Sequence, residues 1–307
     1  MPLGKERGGS LQTYVALLRG INVSGKNKVS MADLRTLFVA LCLVALAGCG
    51  GGHASTSAKT ERHRARTTAT ARPQKPAVRH GPRRTAVPIL MYHLVNTPPP
   101  GTPNSELWVP TAAFRAQMQA LHSAGYHGVT LDALLDNWQH RIALPPNPIV
   151  ISFDDGYGSQ VRNAMPILRS LGWPGVLNLE VKNLSVAGGI TKAQVRRLIA
   201  AGWEIDAHTI NHLDLTTLDP AAVRHEVGGS RAALRRDFHV PVDNFAYPAG
   251  RHNATAEAAV RAAGYRAAVT TEPGLAHMDG DRVTLPRVRV NGTDSAAAVL
   301  EAVQRAR

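Results

Sequence analysis

Short apolar runs recur along the C-terminal two thirds of the chain, separated by longer segments of mixed polarity. The clearest run spans residues 148–153, Pro-Ile-Val-Ile-Ser-Phe, and is followed at once by polar residues and glycine. Runs of this length bounded by turn residues predict buried β-strands. They occur near residues 87–92, 148–153, 175–179, 203–207, 244–247, 266–270 and 286–290.

Apolar residues at helical spacing lie between several of these runs. The patterns predict α-helices over residues 111–122, 192–201 and 221–238. Strands that alternate with helices pair in parallel, so an α/β barrel or sheet is expected. Residues 87–307 are numerous enough to build one sizeable core as a single domain.

Two adjacent carboxylates, Asp154 and Asp155, follow the run 148–153 and precede Gly156. Glycine breaks the strand, so both side chains are expected at a strand end, where parallel α/β folds carry their chemistry. Neighbours on an extended backbone point in opposite directions, so one carboxylate can bind metal and the other can activate water. The alternative is that the pair merely caps a following helix.

Two histidines, His208 and His212, follow with i and i+4 spacing. Taken alone, they could be ordinary polar surface residues. Together with Asp155 they supply three oxygen and nitrogen ligands for one divalent metal, and Asp154 is left over as a base. This combination predicts a hydrolase.

Three segments resemble successive motifs of the NodB-like polysaccharide deacetylases, carbohydrate esterase family 4. They are Ser152-Phe-Asp-Asp-Gly156, His208-Thr-x-x-His212 and Phe245-Ala-Tyr-Pro-Ala-Gly-Arg251. Pro88-Ile-Leu-Met-Tyr-His93 and Leu285-Pro-Arg287 resemble the branch that includes the deacetylases of poly-β-1,6-N-acetylglucosamine. The resemblance extends over residues 86–305 and implies a distorted, incomplete (β/α) barrel.

The resemblance also implies roles for individual residues. Asp154 would be the general base, and Asp155, His208 and His212 would hold a divalent metal, expected to be Zn²⁺ with Co²⁺ or Ni²⁺ as alternatives. The backbone N–H of Tyr247 would stabilise the oxyanion. The substrate would be an acetylated glucosamine polysaccharide.

The chain departs from the family pattern at two places. Ala246 stands where an arginine usually orients the catalytic aspartate, so Arg287 or, as second choice, Arg251 must supply that charge. The alternative for Arg287 is a surface salt bridge after a strand. The family's late Leu-x-His is also missing, since no histidine follows His277.

His93 is the candidate for the missing acid. It closes the run that begins at Ile89, and in a barrel the first and last strands are neighbours, so His93 can reach the space that the late histidine fills in relatives. An imidazole with a pKa of about 6.5 can protonate a leaving amine at neutral pH. The alternatives are a hydrogen bond to the following loop or a further metal ligand.

An apolar stretch of twelve residues, 37–48, ends directly before Cys49. It is too short to span a bilayer comfortably but suits the core of a signal peptide. Leu46-Ala-Gly-Cys49 resembles a lipobox, in which the cysteine is acylated and becomes the new amino terminus. Residues 31–49 are therefore predicted to be a lipoprotein signal peptide that places the protein outside the cytoplasm, anchored to membrane lipid through Cys49. The alternative is a short buried helix with an incidental cysteine.

Residues 1–30 do not fit a leader, because a signal peptide normally begins close to its basic region. Met31 is a candidate for the true start. Residues 13–36 resemble the opening of an unrelated family of unknown function. We interpret residues 1–30 as extraneous or as a mis-called start and exclude them from the fold prediction.

Residues 50–86 are rich in Ala, Thr, Gly, Pro and Arg and contain no aromatic residue, which predicts a disordered tether. This segment carries +8 of the net charge of +13 and the first 48 residues carry +4, which leaves +1 for residues 87–307. A basic arm beside a membrane attracts anionic lipid or cell-wall polyanions. Nucleic acid is the competing partner, and it is not expected behind a lipobox.

Residues 87–307 are thus predicted to be a monomeric, metal-dependent N-deacetylase domain that acts on an N-acetylglucosamine polymer. An O-acetyl esterase would use the same chemistry. A carbohydrate-binding protein that has lost turnover could keep the same fold. The complete set of Asp154, Asp155, His208 and His212 argues against such a loss.

Overall fold

The computed structural model describes residues 78–305, in which strands and helices alternate. The strands are β1 (Ala86–Val87), β2 (Ile89–Tyr92), β3 (Leu94–Val95), β4 (Trp108–Val109), β5 (His127–Val129), β6 (Pro148–Asp155), β7 (Val176–Leu179), β8 (Glu204–Ala207), β9 (Asn244–Ala246), β10 (Ala267–Pro273), β11 (Ala276–His277) and β12 (Leu285–Arg289). The α-helices are α1 (Thr111–Ser123), α2 (Leu131–His140), α3 (Met165–Ser170), α4 (Lys192–Ala200), α5 (Pro220–Phe238), α6 (Ala254–Ala262) and α7 (Ala296–Arg305).

Seven parallel strands of the described chain close into a ring. Their order is β2, β12, β10, β9, β8, β7 and β6, and β6 pairs again with β2. Strand β5 pairs with residues 148–150 at the start of β6, and β7 pairs with residues 152–155 later in the same strand. Both strands lie on the same edge of β6. The register between β10 and β12 shifts between Val269 and Pro273. A ring of seven rather than eight strands, with this irregularity, confirms the predicted distorted, incomplete (β/α) barrel.

Side chains alternate along each strand between the barrel interior and the layer of helices outside it. On β6, Phe153 faces outward, where its ring stacks on Trp203 with 5.0 Å between centroids. Val150 faces inward and joins an apolar cluster inside the barrel. The inward-facing residues nearer the end of β6 are polar, namely Ser152 and Asp154. The inward face of β6 is therefore apolar at its start and polar at the carboxyl end of the strand.

The helices that surround the barrel begin at polar caps. Thr191 and Gln194 form a capping box at the start of α4. Asp219 accepts hydrogen bonds from two backbone N–H groups at the start of α5, and Pro220 occupies its first turn. Within the described residues, no helix combines the length and the apolar character needed to cross a membrane.

The packed domain begins before the predicted boundary at residue 87. The Arg84 N–H donates to Asn137 Oδ1 at 2.8 Å, the Trp138 indole donates to the Arg84 carbonyl at 2.6 Å, and β1 pairs with β11. The structure places residues 78–86 with the domain rather than with the tether, because helix α2, the residues that follow it and strand β11 satisfy many of their backbone groups without any apolar periodicity in the segment. The rest of the predicted tether, the leader and Cys49 lie outside the described residues.

Candidate active site

An open cleft of about 270 Å³ lies at the carboxyl ends of the barrel strands, the end at which parallel barrels carry their chemistry. Residues at or just after the ends of β2, β6, β8 and β12 contribute to its walls. The cleft is lined by His93, Asn104, Glu106, Leu107, Asp154, Asp155, His208, His212, Ala249, Thr271 and Arg289. It therefore brings together five of the residues that the sequence selected, from three separate motifs.

Both neighbouring carboxylates line the cleft, although an extended strand would turn them to opposite faces. The difference arises because Asp155 has a left-handed φ of 72°. Gly156 follows with a φ of 98°, and a Cβ there would clash with Leu179, so the turn requires glycine. Holding a non-glycine residue in this conformation costs about 1–3 kcal/mol. Such strain is typical of functional sites.

Asp155, His208 and His212 form the candidate metal triad. Asp155 Oδ1 lies 3.4 Å from His208 Nε2 and 3.6 Å from His212 Nε2. This oxygen is buried and has no hydrogen-bond partner in the described structure. Tetrahedral ligands at zinc bond lengths of about 2.0–2.1 Å lie about 3.4 Å apart. The donor set and its spacing therefore fit a divalent ion such as zinc.

The hydrogen bond of His208 to the backbone determines which of its two ring nitrogens faces Asp155. Its Nδ1 lies 2.7 Å from the carbonyl oxygen of Ala246, which leaves Nε2 directed toward Asp155. Metal-binding histidines commonly fix their other ring nitrogen in this way. Burial opposes a charged imidazole, but the neighbouring Asp155 and Asp154 carboxylates outweigh it and raise the pKa of His208. The carboxylates thus favour positive charge at this point.

The loop from His208 to His212 folds back so that both imidazoles face Asp155. Thr209 and His212 have left-handed φ values of 64° and 55°. The Thr209 hydroxyl donates to the His208 carbonyl at 2.6 Å and accepts the His212 N–H at 2.9 Å. The i and i+4 spacing therefore brings the two rings together through a tight loop rather than through a helix.

Asp154 is held by a completely buried arginine. Arg287 donates two hydrogen bonds of 2.8 Å, one to each carboxylate oxygen of Asp154. Asn178 donates a third, of 2.7 Å, to Asp154 Oδ1. Burial alone would raise the pKa of Asp154, but the Arg287 guanidinium outweighs burial and holds it well below its usual range. Arg251 instead pairs with Asp214 at 2.8 Å near the surface, so the structure selects Arg287 as the charge beside Asp154.

His93 lies in the same cleft, on the side of Asp154. Its Nε2 is 3.9 Å from Asp154 Oδ2, and its backbone carbonyl accepts a hydrogen bond from Gln160. The imidazole is largely buried, and burial lowers its pKa although the Asp154 and Asp155 carboxylates oppose that effect. His93 is therefore positioned to exchange a proton with a group bound beside Asp154.

Tyr247 does not line the cleft. Its backbone N–H donates to the Val269 carbonyl at 3.1 Å, and its side chain is completely buried. The predicted oxyanion role of this N–H is wrong, because the pairing of β9 with β10 continues through Tyr247 and occupies the donor. Ala249, two residues later, does line the cleft and has a left-handed φ of 51°.

Three further residues at or beside the site were missed in the sequence. Asn178 interrupts the apolar strand β7, and a lone amide in a buried strand is a usable signal because buried polar groups need partners. Arg289 lines the cleft two residues after Arg287 and so shares its inward face. Glu226 contacts the loop between the two histidines from helix α5. No local pattern marks it, since that contact exists only in the folded chain.

These features describe an α/β-barrel hydrolase with a candidate metal triad beside a charge-paired aspartate. The family model described as polysaccharide deacetylase matches residues 141–268. YxkH of Bacillus subtilis, whose name is that of a polysaccharide deacetylase, is 32% identical over 235 residues, which cover 76% of this chain and 78% of the relative. The chain belongs to the polysaccharide deacetylase family, and it is a hydrolase of that family.

More distant similarities bear on the fold and on the N-terminal segment. The Streptococcus pyogenes deacetylase PplD superposes with a TM-score of 0.66 at 24% identity, covering 71% of this chain and 98% of that chain, which supports the fold. The poly-β-1,6-N-acetyl-D-glucosamine N-deacetylase of Escherichia coli (strain K12) is 35% identical over 68 residues, only 22% of this chain and 10% of that protein. A second family model, a protein of unknown function (DUF1697), matches residues 11–46, which confirms the resemblance of residues 13–36 and extends into the apolar stretch 37–48.

Proposed function

We propose that this polysaccharide deacetylase uses a divalent metal to remove N-acetyl groups from an N-acetylglucosamine polymer of the cell surface. The observation that carries the proposal is the buried Oδ1 of Asp155, which has no hydrogen-bond partner within the described residues and lies 3.4 and 3.6 Å from the Nε2 atoms of His208 and His212. A buried carboxylate oxygen without a partner is costly unless a cation or donor occupies the space beside it. The short match to an N-acetylglucosamine polymer deacetylase supports the substrate class.

A divalent ion held by Asp155, His208 and His212 would polarise the acetamide carbonyl and lower the pKa of water at the site. Asp154 accepts the proton of the attacking water, because its carboxylate is ionised and lies in the same cleft. Arg287 and Asn178 fix the carboxylate in one orientation by three hydrogen bonds. The metal triad and the base thus occupy adjacent parts of one cleft.

A carboxylate as acidic as Asp154 stays ionised but does not retain a proton well. His93 is 3.9 Å away, and its lowered pKa keeps the imidazole neutral and able to accept that proton. Protonated His93 can then donate to the departing amine, which cannot leave as an anion at a useful rate. The neutral histidine therefore carries the proton released by water to the leaving nitrogen.

The proposal is tested by measuring metal content and acetate release with the full chain. The substrates are chitin oligomers, peptidoglycan, acetylated β-1,6-glucosamine polymer and acetylated xylan. We expect acetate release from an N-acetylated glycan and its loss when a chelator removes the metal. His212→Ala should bind metal much more weakly, whereas Asp154→Asn should retain metal and lose turnover, because only the first substitution removes a ligand.

Each alternative gives a different result in the same experiment. Release of acetate from xylan alone would identify an O-acetyl esterase. Glycan binding without acetate release from any substrate, with metal bound, would identify a carbohydrate-binding protein on this fold. Full metal stoichiometry in His212→Ala would contradict the ligand assignment.

The proposed site of action is outside the cytoplasm, at a membrane to which Cys49 is attached by lipid. The support comes from the sequence, namely the twelve-residue apolar stretch 37–48 before Cys49 and the basic segment 50–86 with a net charge of +8. Two or more acyl chains anchor a protein stably, and basic residues add attraction to anionic lipid or wall polymers. A lipid-anchored deacetylase would reach polymers of its own cell surface.

A further inference from the structure

The carboxylate of Glu226 is buried against the loop that carries the two histidines. The residue lies on α5 and is 3% exposed. One carboxylate oxygen, Oε2, accepts the backbone N–H groups of Ile210 and Asn211, each at 2.9 Å. The other, Oε1, accepts the side-chain amide of Asn211 at 2.7 Å. All three donors belong to the two residues between Thr209 and His212.

These contacts hold the part of the loop whose backbone conformation is least favourable. Thr209 and His212, which flank the pair, both have left-handed φ values. Non-glycine residues adopt that region only where surrounding contacts fix it. Hydrogen bonds to a charged acceptor are roughly twice as strong as neutral ones, so one carboxylate can stabilise the loop from its inner side. Without Glu226, two backbone N–H groups beside the site would lose their acceptor.

Glu226 has no cationic side chain beside it among the described residues. Among the described residues, no lysine, arginine or histidine forms an ion pair with it at 4.0 Å or less. A buried carboxylate needs compensation for its lost hydration, and here the loop donors supply it. The Glu226 carboxylate therefore forms its hydrogen bonds with the loop and forms no salt bridge within the helix layer.

The two histidines depend on this loop to different degrees. His208 follows β8 directly and has its own anchor at the Ala246 carbonyl, 2.7 Å from Nδ1. The side chain of His212 is 37% exposed, and its position follows the loop backbone. We propose that Glu226 is a positioning residue that holds His212 in the geometry needed for metal binding. This inference rests on the proposed metal site, in which His212 is a ligand.

The test compares full-length wild type with Glu226→Ala and Glu226→Gln. Glu301→Ala is the matched control, because it removes an exposed carboxylate far along the chain on α7. Zinc affinity is measured by competition with a chromophoric chelator, and amide hydrogen exchange of residues 209–212 is measured in the metal-free protein. Circular dichroism shows whether each variant is folded.

We expect Glu226→Ala to bind zinc about 10- to 100-fold more weakly, the usual effect of removing a group that orients a ligand. Exchange at Ile210 and Asn211 should accelerate before any metal is added. Glu226→Gln should be intermediate in both measurements, because its amide oxygen can still accept the two backbone N–H groups. If Glu226→Ala does not fold, the glutamine variant gives the same comparison. Wild-type zinc affinity and wild-type exchange in a folded Glu226→Ala protein would overturn the inference.

A double mutant separates positioning of His212 from a general effect on the domain. Once His212→Ala has removed the ligand, adding Glu226→Ala should weaken zinc binding much less than it does in the wild-type background. Fully additive losses would contradict an effect through His212. Failure of the wild-type protein to bind zinc would instead refute the proposed metal site, and the exchange measurement would still decide whether Glu226 fixes the loop.

Discussion

Arg287 and Asp154 face each other inside the barrel through two parallel hydrogen bonds of 2.8 Å, with both side chains shielded from solvent. The Arg287 Nε also donates to the Thr270 carbonyl at 2.7 Å, so the guanidinium plane is fixed from both sides. An arginine fork matches a carboxylate in a way that a lysine ammonium cannot. The pair therefore sets both the charge and the orientation of the proposed base.

Arg287→Lys should preserve the positive charge but lose the two-point contact with Asp154. We expect kcat to fall by about 10²-fold, the scale on which a misplaced catalytic group costs activity. Arg287→Ala should in addition destabilise the fold by about 3–5 kcal/mol, because it leaves a buried carboxylate without its cation. Steady-state kinetics and urea unfolding of both variants check these expectations. A lysine variant with wild-type kcat would show that orientation by the fork is unnecessary.

Asn178 stabilises the same carboxylate from the next strand, through its 2.7 Å hydrogen bond to Asp154 Oδ1. Asn178→Ala should reduce kcat by about 10-fold, since one hydrogen bond to a charged group contributes about 1.5–3 kcal/mol. Asn178→Asp should act differently, because a second negative charge raises the pKa of Asp154 and moves the acidic limb of the pH–rate profile to higher pH. Identical pH profiles for the two variants would contradict this role.

Glu204, which is partly buried, and Asp206, which is completely buried, form an acidic pair on strand β8. Burial, reinforced by the neighbouring Asp132, raises the pKa of Glu204 to about 7, and burial beside Glu204 raises the pKa of Asp206 well above its usual value. An unfolded glutamate releases its proton at about pH 4.3. Between that pH and about 7 this glutamate is therefore more protonated in the folded chain, and its contribution to the free energy of unfolding should fall as pH rises.

Glu204→Gln should flatten that dependence, because the amide cannot ionise. Urea unfolding at pH 5 and pH 8 measures it, and Glu301→Gln on the surface is the control. We expect the stability of Glu204→Gln at pH 8, relative to pH 5, to be higher than that of the wild type and the control. An equal loss in all three proteins would show that another group titrates in this window.

Strand positions could be predicted from the sequence because each barrel strand is a short apolar run between turn residues. Asp154, Asp155, His208 and His212 could be identified because their motifs are local and lie at strand ends. The orientation of Asp155 could not be predicted, since it depends on a left-handed backbone that the extended-strand rule excludes. The packed domain starts before residue 87 because residues 78–86 are held by backbone contacts, which leave no apolar pattern in the sequence.

Contacts between side chains on different strands have no local signature in the sequence. The sequence points to Arg287 only because Ala246 stands where an arginine is expected, and the contact of Arg287 with Asp154 spans 133 residues. The error over Tyr247 has a related cause, since the pairing of its N–H with Val269 is a property of the β9–β10 register. Glu226 lies on a helix whose sequence gives no sign of a loop beside it. Such relationships become visible only when the strands and helices are assembled.

Lipidation at Cys49 predicts a protein in the membrane fraction whose mature mass begins at Cys49 and includes acyl groups. Cys49→Ser should abolish that processing and leave a retained precursor or a released protein. Cys42→Ser is the control, because Cys42 lies inside the apolar stretch 37–48 and would be removed with the leader. Fractionation and intact-mass measurement decide the outcome. An unmodified product that starts at Met1 would contradict the lipoprotein prediction.

His93 lies in the cleft on the side of Asp154, where its imidazole can donate a proton to the leaving nitrogen. Its Nε2 is 3.9 Å from Asp154 Oδ2, and Tyr92, the residue before it, is the last residue of β2. Asp155, rather than His93, forms the close contacts with both His208 and His212. The geometry therefore favours a role in proton transfer over a role as a further metal ligand.

His93→Ala should lower kcat for amide substrates by about 10²- to 10⁴-fold, the usual effect of losing a general acid, while metal content stays unchanged. An activated ester such as p-nitrophenyl acetate provides the control reaction, because its leaving group departs without protonation. We expect the variant to lose far less activity on that ester, whereas Asp154→Asn should lose activity on both substrates, since both reactions need the attacking water. His93→Gln, which keeps a polar side chain but cannot transfer a proton in this way, should behave like the alanine variant. Equal losses on amide and ester would show that His93 orients Asp154 or the substrate, and the amine would then take its proton from another group.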